Sequence, residues 1–234
     1  MNNLPEHQLD ALLALPPADI PVVLFARHSI RELAAHGSVN YQLPLTQEGI
    51  DLAKAWGARF QRKVTNFFSS PVQRCVDTAE LMAEGMAFKG EVTKHKYLVE
   101  PGCYVIEMQK VGHRFLELGP VGFANEHFAL GFPGVLSPEE GAKKLLSHFI
   151  ENLCPEGGMS IHISHDTILA AFVYCLLQKG LLSDADWPEM MEGIFLWFEN
   201  ANHDPINPRL ETSVYVRWIW RGQSDYRKLQ DFEL

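Results

Sequence analysis

Residues 21–31 read PVVLFARHSIR. Val22 to Ala26 is an unbroken apolar run, the pattern of a strand buried on both faces of a parallel sheet. Arg27 and His28 follow at once, where such a strand leaves the core. In open α/β sheets ligands bind outside the carboxyl ends of the strands, so polar residues at these exits are the first candidates for chemistry.

Working outward, the chain alternates strand and helix. Leu9, Leu12, Leu13 and Leu15 suggest a short helix or arm within residues 1–20, ended by Pro16 and Pro17. Thr46 reads as the N-cap of a helix running to about Arg62, with Ile50, Ala53, Trp56 and Phe60 at near-helical spacing. Val64–Phe68 reads as a strand, Gln73–Glu84 as a helix and Glu91–Val99 as a third strand. Ser137 and Pro138 open a further helix, in which Ala142, Leu145, Leu146, Phe149, Ile150 and Leu153 form one stripe. Met159–Ser164 is the next strand, Thr167–Leu177 a helix apolar all round, and Gly193–Phe198 and Ser213–Trp220 are late strands. The last alternates and is expected at a sheet edge. Residues 101–137, rich in Gly, Pro and aromatics without a clear period, read as a lid or binding loop. The expectation is one domain over 1–234, a three-layer α/β/α fold with a mostly parallel central sheet.

Composition narrows the function. The chain has 234 residues, 47% hydrophobic, with 20 Lys and Arg against 29 Asp and Glu and a net charge of −9. A negative surface repels phosphate backbones and anionic lipid, so neither nucleic acid nor membrane is an expected partner. The first residues lack a basic start and a long apolar stretch, and no run nears the roughly 18 apolar residues of a membrane span. Cys75, Cys103, Cys154 and Cys175 show no CxxC spacing, which suits free thiols in a cytoplasmic protein and no zinc cage.

Three strand exits carry polar clusters: Arg27-His28-Ser29-Ile30-Arg31, Ser69-Ser70-Pro71-Val72-Gln73-Arg74, and Ser164-His165-Asp166. Singly each has a plain explanation, such as Asp166 favouring the dipole of the helix it opens. Jointly they bring three arginines, two histidines and a carboxylate to one rim. Phosphoryl transfer needs that set: cations for the equatorial oxygens, a nucleophile and a proton donor.

These motifs resemble the histidine phosphatase (phosphoglycerate mutase-like) superfamily. Arg27-His28-Ser29 is similar to its Arg-His-Gly, with Ser29 departing from the usual Gly, and either narrowing the pocket or being tolerated there. Leu45-Thr46-Gln47-Glu48-Gly49 resembles its Leu-Thr-x-x-Gly, and Ser69 to Glu80 is similar to its Ser-x-x-x-Arg-x-x-x-Thr-Ala segment. Ser164-His165-Asp166-Thr167 resembles the second histidine motif. The resemblance implies a phosphomonoester hydrolase without cofactor or metal, acting on a small-molecule phosphomonoester or other phosphorylated substrate. In it His28 is the nucleophile, and Arg27, Arg74 and His165 hold the phosphoryl group. One ring nitrogen of His28 must be unprotonated, so the other is expected to donate to a backbone carbonyl.

Arg31 lies where the acid phosphatase and phytase branch has a second phosphate-binding Arg, and Asp166 where that branch has its proton donor. The branch of mutases and small phosphatases takes its acid from a Glu after the third strand, where Glu100 lies. Asp166 is favoured. The chain is short for the acid phosphatase branch, which inserts a helical subdomain. Alternatives are a catalytically silent phosphate- or phosphoprotein-binding module and a phosphoglycerate mutase-type phosphotransferase. Lys94, Lys96, Lys110, His113 and Arg114 are a solvated face or, alternatively, a greeting for a polyanionic substrate. His162, His165 and Asp166 could suggest a metal-dependent HD phosphohydrolase. Against that, His162 sits within a strand facing away from Ile161 and Ile163, and those enzymes are all-helical. No GxxxxGK[ST], GxGxxG or GxSxG is present. Oligomeric state is not legible.

Overall fold

A computed structural model describes residues 4, 6–33, 42–154, 156–200 and 213–234. Among them, seven strands form one sheet in the order β3-β2-β4-β1-β5-β6-β7. They are β1 (Val22–Arg27), β2 (Val64–Ser69), β3 (Val92–Lys94), β4 (Met159–Ser164), β5 (Gly193–Asn200), β6 (Val214–Trp220) and β7 (Gln223–Lys228). The ladders joining β3, β2, β4 and β1 are parallel, whereas β1 to β5, β5 to β6 and β6 to β7 are antiparallel. Since β6 reverses β5, it points the same way as β1, and most strands share one direction.

Helices cover both faces. α1 (Glu6–Leu13), α2 (Gln47–Gly57) and α3 (Gln73–Gly85) pack Ala11, Trp56, Ala79 and Met82 onto Leu24, Ile161 and Ile163. On the other face α5 (Pro138–Glu151) and α6 (Asp166–Leu177) pack Leu145, Phe149, Leu169 and Phe172 onto Phe25, Ile194 and Trp218. Each fully buried Leu, Ile, Phe or Met among them contributes about 1.5–3 kcal/mol. The three-layer α/β/α expectation holds. Local signals set the helix starts. The Thr46 hydroxyl accepts from the amide of Gly49 at 3.0 Å, and Ser137 and Glu140 form a reciprocal cap with Pro138 in the first turn.

Three expectations need correction. Residues 101–137 are not a loop: they contain α4 (Met108–Leu130). Its interior Gly119 stands at φ 67°, ψ 174°, and Pro120, lacking an N–H, restarts the helix. The break resets the helical phase, so a single period cannot be read through it. The two arms are tied by Arg114 to Glu126 at 2.7 Å and by Phe115 against Phe123. Second, β6 is not an edge strand. β7 pairs outside it, and its sequence, QSDYRK, carries no apolar alternation because it is almost wholly exposed. Third, the strand expected over 91–99 is limited to Val92–Lys94. His95 then accepts from the amide of Tyr97 and opens a short 3₁₀ turn. No helix among the described residues is long and apolar enough to cross a membrane. The four cysteines are free thiols.

Candidate active site

Strand order decides the site. β4 lies between β2 and β1, with Arg27 opposite Ser164 and Ser69 opposite Ile163. The amide of His28 donates to Ser164 O, and that of Ser70 to Ile163 O, carrying both ladders one residue past the strands. Three exits far apart in sequence thus meet side by side.

His28 is buried and oriented at both ring nitrogens. Nδ1 lies 2.7 Å from the carbonyl of Ser29, and Arg74 Nε donates to Nε2 at 2.9 Å. A carbonyl only accepts and a guanidinium only donates. The proton therefore sits on Nδ1, and Nε2 carries the lone pair. Burial first, then His165 and Arg74, hold this imidazole well below the ordinary histidine range.

Arg74 also reaches Nδ1 of His165 at 3.2 Å, which by the same logic makes Nε2 of His165 the donor to Ser70 Oγ at 2.8 Å. Burial, then Arg74, pushes His165 down to about 3. The two rings stand edge to face, 5.7 Å between centroids.

Ser29, the departure from Gly, is accommodated without strain. Its hydroxyl donates to Gly49 O at 2.7 Å, and its amide donates to Thr78 Oγ1, which itself donates to Arg74 O. The loop bearing His28 is so bound to the helix bearing Arg74. Gly49 is required by contact: a Cβ there would fall 2.1 Å from Ile30 O.

Asp166 opens α6, with Oδ2 2.8 Å from Arg27 Nη2 and Oδ1 accepting the amide of Thr167. Trp187 Nε1 also reaches Oδ2, at 3.3 Å. Burial opposes ionisation of this carboxyl. Arg27, with His28 and Trp187 behind it, outweighs that and holds it below its usual range. Glu100 is the opposite case. Burial pushes its carboxyl up to about 8, although the amides of Val105 and Tyr104 donate to it. It stands two residues past Leu98, whose carbonyl accepts from Ser164 Oγ at 2.9 Å.

The geometry brings His28, Arg74, His165, Arg27 and Asp166 together. Arg31 is placed otherwise. Its Nη1 donates to Glu32 O, while its charge bears on both Arg27 and His165. Three of the five basic residues considered for a polyanion are engaged elsewhere: Lys110 with Glu107, Arg114 with Glu117 and Glu126, and Lys96 over the ring of Tyr97. His162 does not converge with His165. It contacts His148 and Ser160 on the face away from Ile161 and Ile163. Sequence reasoning missed Trp187 and Pro188, whose carbonyl accepts from Arg27 Nη1 at 2.6 Å. No local pattern marks either residue. Ser70 and Thr78 sat within a recognised motif and could have been named from it.

A family model described as histidine phosphatase superfamily (branch 1) matches residues 23–185. A 2,3-bisphosphoglycerate-dependent phosphoglycerate mutase of Thermoplasma acidophilum is 21% identical over 166 residues, covering 68% of this chain and 78% of that protein. Among solved structures, a mycobacterial glucosyl-3-phosphoglycerate phosphatase superposes with a TM-score of 0.55 at 17% identity, over 87% of this chain and 99% of that one. A protein described as mycobacterial hydrolase 2 gives a TM-score of 0.55 at 16% identity, over 91% and 95%. At these identities the solved structures establish the fold.

Proposed function

The chain belongs to the histidine phosphatase superfamily, and on that premise we propose that it is a phosphomonoester hydrolase working through a phosphohistidine on His28, without a metal. The observation that carries this is the tautomer of His28, with Nδ1–H on a carbonyl and the lone pair on Nε2. Substrate phosphate draws Arg74 from Nε2 onto its own oxygens, where guanidinium geometry suits it, and uncaps the nucleophile. Nε2 then attacks phosphorus, the P–O bond to the alcohol breaks, and the leaving oxygen takes a proton. Arg27 and Arg74 bind the equatorial oxygens, joined by His165 once the anion brings a proton to its Nδ1, the charge-neutralising part that other phosphoryl-transfer sites give to a metal ion.

We assign the proton to Glu100 in place of Asp166, the residue favoured on sequence. A general acid must hold its proton at rest. Glu100, at about 8, is protonated at neutral pH, whereas Asp166 is ionised against Arg27. Asp166 instead orients Arg27. In the second half-reaction Glu100 accepts a proton from the water that cleaves the phosphohistidine, and inorganic phosphate leaves. Residues 101–137, which begin just after the acid and pack α4 on α6, form the cap that meets the rest of the substrate.

The test is release of inorganic phosphate from an aryl phosphate in excess EDTA, wild type against His28→Ala, with acid-labile phosphoprotein trapped by rapid quench. Release that survives chelation, with a trapped intermediate absent from the variant, is expected. Loss of activity to EDTA, or full activity in the variant, overturns the mechanism. Phosphate passed to an acceptor alcohol instead of water identifies a mutase. Tight phosphate binding without turnover identifies a binding module.

A further inference from the structure

We infer that Arg221, clasped on Glu192, is a positioning residue for the phosphate site, acting through residues 185–192 to seat Arg27 and Asp166. This rests on the functional reading above and extends it to residues outside the four motifs.

Arg221 lies in the turn between β6 and β7, far along the chain from every other site residue. Its Nε donates to Glu192 Oε1 at 2.7 Å and its Nη2 to Oε2 at 2.9 Å. Nη1 reaches Ala185 O at 2.6 Å, and Nη2 also reaches Trp187 O at 3.1 Å. The Glu192 side chain is 0% exposed. His7 of α1 approaches Oε1 at 3.0 Å, and the amide of Glu189 donates to Oε2 at 2.9 Å. A buried carboxylate stripped of its cation is strongly unfavourable, so this segment depends on the guanidinium.

What turns a structural ion pair into a positioning device is that the same residues serve both sides. Trp187 accepts from Arg221 through its carbonyl and donates to Asp166 through its indole. Glu192 is held by Arg221 through its side chain and accepts the amide of Arg27 at 2.9 Å through its carbonyl. Between them, Pro188 O takes Arg27 Nη1 and the amide of Met191 donates to His28 O. One segment therefore touches Arg27, His28 and Asp166 on one side and Arg221 on the other.

The backbone adds an independent sign. Arg221 and Gly222 stand at φ 48° and φ 74°, the two-residue hairpin geometry that favours Asn-Gly. An arginine is unusual in that left-handed position, and its side-chain contacts explain why it is kept there.

Arg221→Lys keeps the charge, but one ammonium cannot span Ala185 O, Trp187 O and both oxygens of Glu192. Full-length wild type, Arg221→Lys and Trp187→Phe are compared for inorganic phosphate affinity by calorimetry, for ring ¹⁵N resonances of His28 and His165, and for kcat and KM on an aryl phosphate. Folding is checked by circular dichroism. Phosphate affinity is expected to weaken by roughly 10- to 100-fold in Arg221→Lys, since small misplacements from afar have effects of that size. The ring resonances shift with it, and the loss overlaps that of Arg27→Lys in the double variant instead of adding to it. A folded Arg221→Lys with wild-type affinity and unmoved ring resonances overturns the inference. Wild type that binds no phosphate overturns the functional reading instead, and the ring resonances alone then decide the clasp. Should Arg221→Lys not fold, Trp187→Phe decides, because it keeps an aromatic ring in place and removes the indole bond to Asp166: unchanged phosphate affinity there overturns the inference.

Discussion

His162 and His165 stand three residues apart, one inside β4 and one just past its end, and burial holds both rings below the ordinary histidine range. Their surroundings differ in kind. His162 stacks on Phe68 and meets His148, which in turn stacks on His95 at 3.9 Å between centroids. Ser160 and Asn152 supply further hydrogen bonds there. His165 and its neighbour His28 are bridged by Arg74, with Arg27 and Asp166 beside them. A depressed imidazole is common to both clusters and distinguishes neither. The guanidiniums do: they orient the lone pairs and can transfer their hydrogen bonds to an anion, whereas aromatic rings can do neither.

Breaking the rim should reach chemistry, and breaking the inner stack should reach only stability. His28→Ala is expected to lower kcat by roughly 10⁴-fold or more. His162→Asn is expected to stay within a few-fold of wild type in the same initial-rate assay; an equal loss would erase the distinction between the clusters. Glu100→Gln should lower kcat by about 10²–10⁴-fold for a substrate with a poor leaving group. It should do much less for an aryl phosphate, whose leaving group needs no proton. The acid form of Glu100 is populated below about 8, so wild-type kcat/KM should fall as pH rises through that value, and the variant should lose this limb. Arg74→Lys is expected to reduce kcat/KM by about 10²-fold, since an ammonium cannot bridge both rings and an oxyanion. Steady-state kinetics with inorganic phosphate as inhibitor separates binding from turnover.

The smallest effect belongs to the inner stack. Burial, then His95, pulls His148 down to about 4. The folded state therefore stays neutral while the unfolded chain takes up a proton below about 6.5. The stability this group contributes is complete above that value and is lost as pH falls to about 4, a change on the order of 1–3 kcal/mol. Urea midpoints at pH 7 and 4.5 should draw together in His148→Gln. A slope that persists would assign the acid sensitivity to the other buried histidines.

Much of the molecule was legible because its signals are local. The apolar run at Val22–Ala26, the caps at Thr46 and Ser137, and the Arg-His and His-Asp pairs are patterns within a few residues. The unprotonated nitrogen expected of His28 is likewise a local matter, since its Nδ1 partner is the next carbonyl in the chain. α4 and β7 escaped because Gly119 and Pro120 break the one pattern and solvent exposure removes the other.

By itself the sequence determined the alternation of strand and helix, the family and the residue types gathered at the strand exits. Only the tertiary structure decided that β2, β4 and β1 are neighbours, which sets His28, Arg74 and His165 within reach of one another. It also set the surroundings that shift the two carboxyls in opposite directions. Asp166 meets Arg27 across 139 residues of chain, which holds its carboxyl below the usual range, while burial outweighs the charge of Lys144 at Glu100 and pushes that carboxyl up to about 8. Periodicity and capping are read within a few residues, but strand order, desolvation and ion pairing depend on what the fold brings alongside.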